Sequence, residues 1–429
     1  MLRNLLFQGD NKLALKGSSE RAILPLIGAV GGRVRARLAV MSLAVLFLSV
    51  WLPHGLAQSN AVPIETKADF AVITDFETGE VLFSKRANEP TAPASMSKLM
   101  TAAIVFEKLQ KGEIALDSPF RVSKKAWQWQ GSKMWVLVDT EITVENLLRG
   151  LIIQSGNDAA IVLAENISGS ESAFAELMNQ KAREWGLVNS TFANATGWPD
   201  PLQRMSMMDL ARLAEKIIRE FPEYYAIFNE REFTWSKITQ ENRNPLLRAF
   251  DGADGLKTGH TEEAGYGVVG SAKIGNQRRI IVIGGTDSAN ERLREARRVM
   301  RISFDDFSHH IFFRPGDEIA NAEIFKGKAK QVPLVTGEVI DFIIHKSLVN
   351  KVKATAVYEG PISAPVLPDQ QIGYLRVEVP GREPRDYPLF AANSVEEMGW
   401  LGKIGMAARK LLLKPEAQDQ RSAGQGAGR

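Results

Sequence analysis

Apolar residues recur along this chain with two different periods, and the change from one to the other divides it. Phe70-Ala71-Val72-Ile73 and Val81-Leu82-Phe83 flank the turn-forming Glu77-Thr78-Gly79-Glu80, which predicts a hairpin with one buried face. Leu99, Ala102, Ala103, Val105, Phe106 and Leu109 recur at helical spacing, which predicts a helix from about Ser95 to Gly112. The same spacing predicts helices at about 143–154, 157–167, 171–185, 207–220 and 290–310, with strands Tyr266 to Ala272 and Arg279 to Ile283 between the last two. Strands at both ends with helices between them describe a sheet whose faces are covered by helices. After His310 the segments become short and β-prone, as in Glu318 to Phe325, Val332 to Val335, Val339 to Ile344, Val352 to Tyr358 and Gly373 to Val379. A small all-β domain over 312–392 is expected, then a helix over 394–414 and a polar, Gly-rich, disordered tail over 415–429.

Composition narrows the chemistry. A chain of 429 residues has room for two or three domains. It has no cysteine, which excludes thiol nucleophiles, disulfides and thiolate metal sites. The five histidines, His54, His260, His309, His310 and His345, make a His-rich metal centre an unpromising reading, and no metal or organic cofactor is expected. His309-His310 reads as a helix end. The net charge of +3 divides unevenly, because residues 1–57 carry seven basic and two acidic side chains and leave −2 for the rest. Arg33, Arg35 and Arg37 precede the apolar run Leu38 to Leu52 and the small residues of Gly55-Leu56-Ala57, the pattern of a secretory signal cut after Ala57. The 15-residue run is short for a membrane span, which needs about 20.

Three short motifs carry candidate chemistry. Ser95-Met96-Ser97-Lys98 is the one place where a serine is followed three residues later by a lysine, a helical spacing that puts both side chains on one face. A serine becomes a useful nucleophile beside a base, and a lysine serves if burial and a neighbouring cation displace its proton. Ser155-Gly156-Asn157 sits between two apolar helices, where a hydroxyl and an amide can face a cleft. Lys257-Thr258-Gly259 opens a strand after the turn-like Asp251-Gly252-Ala253-Asp254-Gly255, a place for positive charge beside a flat edge that can bind an extended peptide. The order of the motifs, with separations of 60 and 102 residues, is more specific than any one of them.

In these motifs the sequence resembles the serine penicillin-recognising enzymes, marked by S-x-x-K, S-x-N and K-T-G, and most closely the D-alanyl-D-alanine carboxypeptidases or low-molecular-mass penicillin-binding proteins. Pro93 to Thr101, Gln154 to Ala160 and Asp254 to Thr261 are close to that group's wording, and the resemblance runs from about 65 to 414. It implies an α+β, β-lactamase/transpeptidase-like catalytic domain (antiparallel sheet covered by helices) over 62–311, a small β-sandwich-like domain over 312–392 and a C-terminal amphipathic helix. It further implies that Ser95 attacks the carbonyl between two terminal D-alanines of a peptidoglycan stem while Lys98 takes its proton. Ser155 would relay that proton to the departing D-alanine, and Asn157 would hold the peptide amide and the Lys98 amine. Lys257 would repel charge from Lys98 and stabilise developing negative charge. The strand edge at Thr258 and Gly259 would bind the peptide, the backbone N–H groups of Ser95 and His260 would form the oxyanion hole, and Arg292 or Arg243 would receive the terminal carboxylate. β-Lactam antibiotics would acylate Ser95.

Other signals have plainer readings. Gly265-Tyr266-Gly267-Val268-Val269-Gly270 matches a dinucleotide fingerprint, but it lies inside a strand and is followed by another, so neither nucleotide nor nucleic acid binding is expected. Ser206 and Asp209 read as a helix cap, although Ser206-Met207-Met208 departs from the family's Ser-Thr pair. Tyr224, Tyr225, Trp127 and Trp129 read as core or rim packing. In 394–414, Leu401, Ile404, Ala408, Leu411 and Leu412 share one face, Lys403, Lys410 and Lys414 the opposite one, and Trp400 and Arg409 suit an interface. That pattern predicts a helix lying on an anionic membrane surface, and the export signal together with the family resemblance implies the periplasmic face of the inner membrane. A β-lactamase on the same motifs and a non-catalytic cell-wall binder are the rival readings.

Overall fold

The computed structural model describes the backbone of Leu2–Phe7 and residues 64–405. The proposed cleavage site, most of the export signal, residues 406–414 and the tail 415–429 lie outside the described residues.

One compact unit comprises residues 62–309 and 343–346. Its elements are β1 (Phe70–Asp75), β2 (Val81–Lys85), α1 (Lys98–Gln110), α2 (Val144–Ile152), α3 (Asn157–Ser168), α4 (Glu171–Glu184), α5 (Met207–Glu220), β3 (Ala253–Thr261), β4 (Gly265–Ile274), β5 (Gln277–Thr286) and α6 (Ala289–Asp305). The strands form an antiparallel sheet in the order β2-β1-β5-β4-β3, so β3, with Lys257, is an edge strand. Alternation along each strand sends neighbours to opposite faces. Val72, Val269, Ile280 and Val282 join one core with α1 to α5, while Ile73, Val268, Ile281 and Ile283 join a second with Ala296, Val299 and Met300 of α6. The sheet is therefore covered on both sides. Helix α1 is buried from Lys98 through Phe106, which fits a stretch with almost no polar face.

Two expectations need correction here. The helix placed at 290–310 ends at Asp305, and Phe307–Phe313 is a strand containing His309 and His310, so that pair is not a helix end. Residues 343–346, read as part of the β domain, belong with the first unit, because Ile343 packs among Phe307, Val299 and Met300 and donates its N–H to Glu80 Oε2 at 2.9 Å.

In the second unit, Lys353–Glu359, Gln371–Glu378, Arg385–Ala391, Gln331–Thr336, Glu318–Phe325 and Ile362–Ser363 pair in that order, with Leu2–Phe7 along the outer side of Lys353–Glu359. Hydrogen bonding thus links these strands side by side, which gives the all-β domain that the sequence reading expects. The helix expected from 394 begins only at residue 400. Val395 is buried and bridges Val366, and Glu397 bridges Gly327, so tertiary pairing holds 395–397 extended.

Candidate active site

Ser95 lies on a 3-10 turn, Ala94–Ser97, that runs directly into α1 and presents Lys98 on the same face. The turn is tight: Ala94 has φ 49°, and Ser97 Oγ donates to Ala94 O at 3.0 Å. Lys98 Nζ lies 2.8 Å from Ser95 Oγ, 2.7 Å from Asn157 Oδ1 and 2.5 Å from Thr196 O. A neutral amine has two N–H bonds and one lone pair, which matches the two carbonyl-type acceptors and the Ser95 hydroxyl. Burial pushes this lysine, only 1% exposed, down to about 7, against an opposing pull from the carboxylate of Asp158.

Ser155 sits in the connection between α2 and α3 with φ 59°, a left-handed conformation uncommon for a residue with a side chain. Its Oγ accepts from Lys257 Nζ at 2.9 Å, and that amine also donates to Thr258 O at 3.1 Å. Lys257 is 2% exposed. Burial, then the positive charges of Lys98, Arg243 and Arg292, hold it well below the usual lysine range. Burial is the leading cause for both lysines; the charge of Lys98 lowers Lys257 further, whereas Lys98 answers to burial and the opposing Asp158 carboxylate, so the expected help from Lys257 is not among its causes. Each lysine is paired with one serine, and Asn157 links the Ser95–Lys98 pair to the wall of the cleft: its Oδ1 accepts from Lys98 Nζ and its Nδ2 donates to Gln130 O at 2.8 Å.

The edge of β3 comes close to the Ser95 turn. A Cβ on Gly259 would lie 2.9 Å from Pro93 O and 3.1 Å from Ala94 Cβ, so this approach requires glycine. Thr258 is buried beside it. His260 is exposed, and its ring stacks on Tyr266 with centroids 3.8 Å apart. Arg292, on α6, lies 5.7 Å from the centre of the same Tyr266 ring, and its Nε is buried without a hydrogen-bond partner. Arg243 follows the hairpin Glu232–Trp235 and Ile238–Glu241, with its N–H donating to Ile153 O at 3.3 Å. All ten residues singled out from the sequence therefore lie on elements that meet around Ser95 and Lys257.

Some contributors carried no readable signal. The carbonyl of Thr196 is aimed by Asn194, whose Oδ1 accepts from the N–H groups of Thr196, Gly197 and Trp198 at 3.2, 2.8 and 3.0 Å. Asp158, fully buried, accepts from the N–H groups of Met134, Trp135, Val136 and Ala159 at 2.9 to 3.2 Å and fastens the 134–136 segment to the start of α3. Ser206 caps α5 by accepting from Asp209 N at 3.1 Å, so the Met207-Met208 departure leaves the helix start intact. Tyr225 is buried, and Tyr224 stacks on Phe106 with ring centres 5.3 Å apart, as core residues do.

Residues 56–288 match the family model described as D-alanyl-D-alanine carboxypeptidase, and 307–397 match the C-terminal domain of penicillin-binding protein 5. The chain is 34% identical over 340 residues to the D-alanyl-D-alanine carboxypeptidase DacF of Bacillus subtilis, covering 78% of this chain and 87% of that protein. It is 33% identical over 367 residues to DacC of Escherichia coli, covering 83% and 92%. Among solved structures it is similar to the D-alanyl-D-alanine carboxypeptidase DacD of Francisella tularensis, with TM-score 0.70 and 29% identity over 79% of this chain and 96% of that one. It is also similar to the ampicillin-bound form of penicillin-binding protein D2 of Listeria monocytogenes, with TM-score 0.53 and 28% identity over 57% and 100%. A helix-covered sheet followed by a β domain, with a buried Ser-Lys pair at its edge strand, is thus accompanied by sequence likeness across both units. The chain belongs to the D-alanyl-D-alanine carboxypeptidase family of serine peptidases, the penicillin-binding hydrolases that act on the D-Ala-D-Ala ends of peptidoglycan stems.

Proposed function

We propose that Ser95 is the nucleophile of this carboxypeptidase and Lys98 its base. The observation that carries this reading is the 2.8 Å contact between Ser95 Oγ and a buried amine whose pKa has fallen to about 7. Ser95 Oγ attacks the carbonyl carbon between the two D-alanines, and its proton passes to Lys98 Nζ. The tetrahedral oxyanion is held by the backbone N–H groups of Ser95 and His260. As the C–N bond breaks, the departing amine takes a proton through Ser155 Oγ, which Lys257 orients. Asn157 holds the peptide amide, Thr258 and Gly259 line the strand edge, and Arg292, or in second place Arg243, receives the terminal carboxylate. Water then attacks the acyl-enzyme, with Lys98 again as base, and frees the shortened stem. Labelled penicillin should mark the wild type and leave Ser95→Ala unmarked, with no D-alanine released by that variant. Equal labelling of both would exclude Ser95.

The protein is further proposed to be exported by the signal in its first 57 residues and held on the periplasmic face of the inner membrane by the helix that opens at Trp400. The described part of that helix supports this reading, because Trp400, Leu401 and Ile404 are exposed apolar residues. No helix among the described residues is long and apolar enough to cross a membrane. Removing residues 400–429 should leave D-alanine release intact and move the protein to the soluble fraction; continued sedimentation with membranes would rule out this anchor. Truncation at 394 would be a poorer test, since it removes the buried Val395 from the β domain.

A further inference from the structure

Lys257 faces the cleft because its strand carries one extra residue. Along β3, Ala253 lies opposite Ala272 and Gly255 opposite Ser271, so Asp254 is the unmatched residue between them and the strand bulges there. The bulge changes the face that each later residue takes. Ala253 and Ala272 pack with the core that includes α6, whereas Lys257 lies opposite Val269, which belongs to the core shared with α1 to α5. In an unbroken strand, Ala253, Gly255, Lys257 and Gly259 would share one face, and Lys257 would point toward α6. The register shift at Asp254 turns it to Ser155, whose Oγ lies 2.9 Å from its Nζ.

The bulged residue is held from two sides. Asp254 Oδ1 accepts from the Tyr225 hydroxyl at 2.7 Å and from Arg278 Nη1 at 2.9 Å, and Oδ2 lies 2.7 Å from Arg278 Nη2. Arg278 comes from β5, two strands away, and its Nη1 also donates to the hydroxyl of Ser271, the residue opposite Gly255. One guanidinium thus ties β3, β4 and β5 together at the bulge, in the two-pronged geometry that suits a carboxylate. Tyr225 is buried, and its ring centre lies 5.5 Å from that guanidinium. Burial, then the Asp254 charge, holds its phenol well above the usual range, so it stays protonated and donates to the carboxylate. A Cβ on Gly255 would come 2.7 Å from the Tyr225 hydroxyl, so the glycine after Asp254 makes room for the phenol.

We infer that Tyr225, Asp254 and Arg278 are positioning residues for the reaction: they lock the bulge that turns Lys257 into the cleft. The inference rests on the roles proposed above for Ser95, Ser155 and Lys257. Because β3 is an edge strand, a ladder on one side only resists a slip of one residue, and the clamp on Asp254 supplies the remaining restraint.

The test is a double-mutant cycle on the rate of acylation by excess benzylpenicillin, followed by mass spectrometry. Asp254→Ala should lower that rate by about ten- to a hundredfold, the order that a misplacement of about 1 Å costs. In a Lys257→Ala background the same substitution should change the rate by no more than about twofold, because the group it positions is gone. Asp254→Asn, whose amide oxygen can still accept from Tyr225 and Arg278, should recover most of the rate. Tyr225→Phe, which keeps the ring in its core, should lose about fivefold. An unchanged rate in Asp254→Ala or Tyr225→Phe, no recovery in Asp254→Asn, or a loss of the same size with and without Lys257 overturns the lock and leaves the Ser95 mechanism standing. If Asp254→Ala does not fold, Tyr225→Phe in the two backgrounds decides by the same criteria. Failure of the wild type to be acylated overturns both.

Discussion

The position of Lys98 on the pH scale makes a quantitative prediction. The buried amine falls from an ordinary 10.5 to about 7, a difference of roughly 5 kcal/mol between its charged and neutral forms. At pH 7 about half of the protein then carries a neutral base, whereas an unshifted lysine would be neutral in about three molecules per ten thousand, so the shift is worth about three powers of ten in reactive enzyme. The second-order rate of acylation by a fluorescent penicillin should rise about tenfold per unit below pH 7 and level off above it. Lys98 is faced by Ser95, Asn157, the Thr196 carbonyl and the Asp158 carboxylate, and its own charge acts on Lys257, so the inflection reports Lys98 first. A rate that climbs steadily from pH 6 to 10, or stays flat from 5 to 8, would refute the assignment. Stability supplies a second reading of the same group. Because the folded value is the lower one, the unfolded chain binds more protons between pH 7 and 10.5. The cost of burying the charge is therefore complete below 7 and fades as pH rises to 10.5. Relative to Lys98→Met, the wild type should gain about 3 to 4 kcal/mol between pH 7 and 10 in urea titrations.

Gly259→Ala would place a methyl group against Pro93 O and Ala94 Cβ, pushing β3 away from the Ser95 turn. Acylation should fall by at least about tenfold with little change in Tm, because an edge strand can shift where a core cannot; an unchanged rate would show that the close approach is dispensable. Asp158→Ala would leave buried N–H groups of Met134, Val136 and Ala159 without their acceptor, costing roughly 3 kcal/mol or more and about 6 to 12 °C in Tm by calorimetry. A loss below 1 °C would mean that water satisfies those donors.

The motifs were legible because their chemistry resides in side chains. Ser95, Lys98, Ser155, Asn157 and Lys257 announce themselves by residue type and order, and the elements that carry them follow from apolar spacing. What escaped reading works through the backbone or through long-range pairing. The Thr196 carbonyl would be the same group on almost any residue, so nothing in Asn194-Ala195-Thr196-Gly197 marks it as a partner of Lys98. The helix expected to reach residue 310 stops at Asp305, because apolar spacing continues through Phe307, Ile311 and Phe313 while pairing turns the segment into a strand. Val395-Glu396-Glu397-Met398 would suit a helix, yet bridges to Val366 and Gly327 draw it into the β domain. In each case a contact distant in sequence outweighed a local preference.

Burial favours the neutral form of each amine, which is why two lysines can be buried in one cleft. Coulomb repulsion is mutual, so a charge on Lys257 lowers Lys98 as surely as a charge on Lys98 lowers Lys257. With Arg243 and Arg292 also acting on Lys257, the site is short of negative charge until a substrate brings it. A carboxylate arriving beside Arg292 would favour the charged form of Lys257. A charged Lys257 would in turn press Lys98 toward its neutral form, the one able to take the Ser95 proton. On this reasoning the terminal carboxylate does more than anchor the peptide. It would help set the protonation of the proposed base, Lys98, whose Nζ lies 2.8 Å from Ser95 Oγ, so a peptide amidated at its end should lose kcat as well as raise KM.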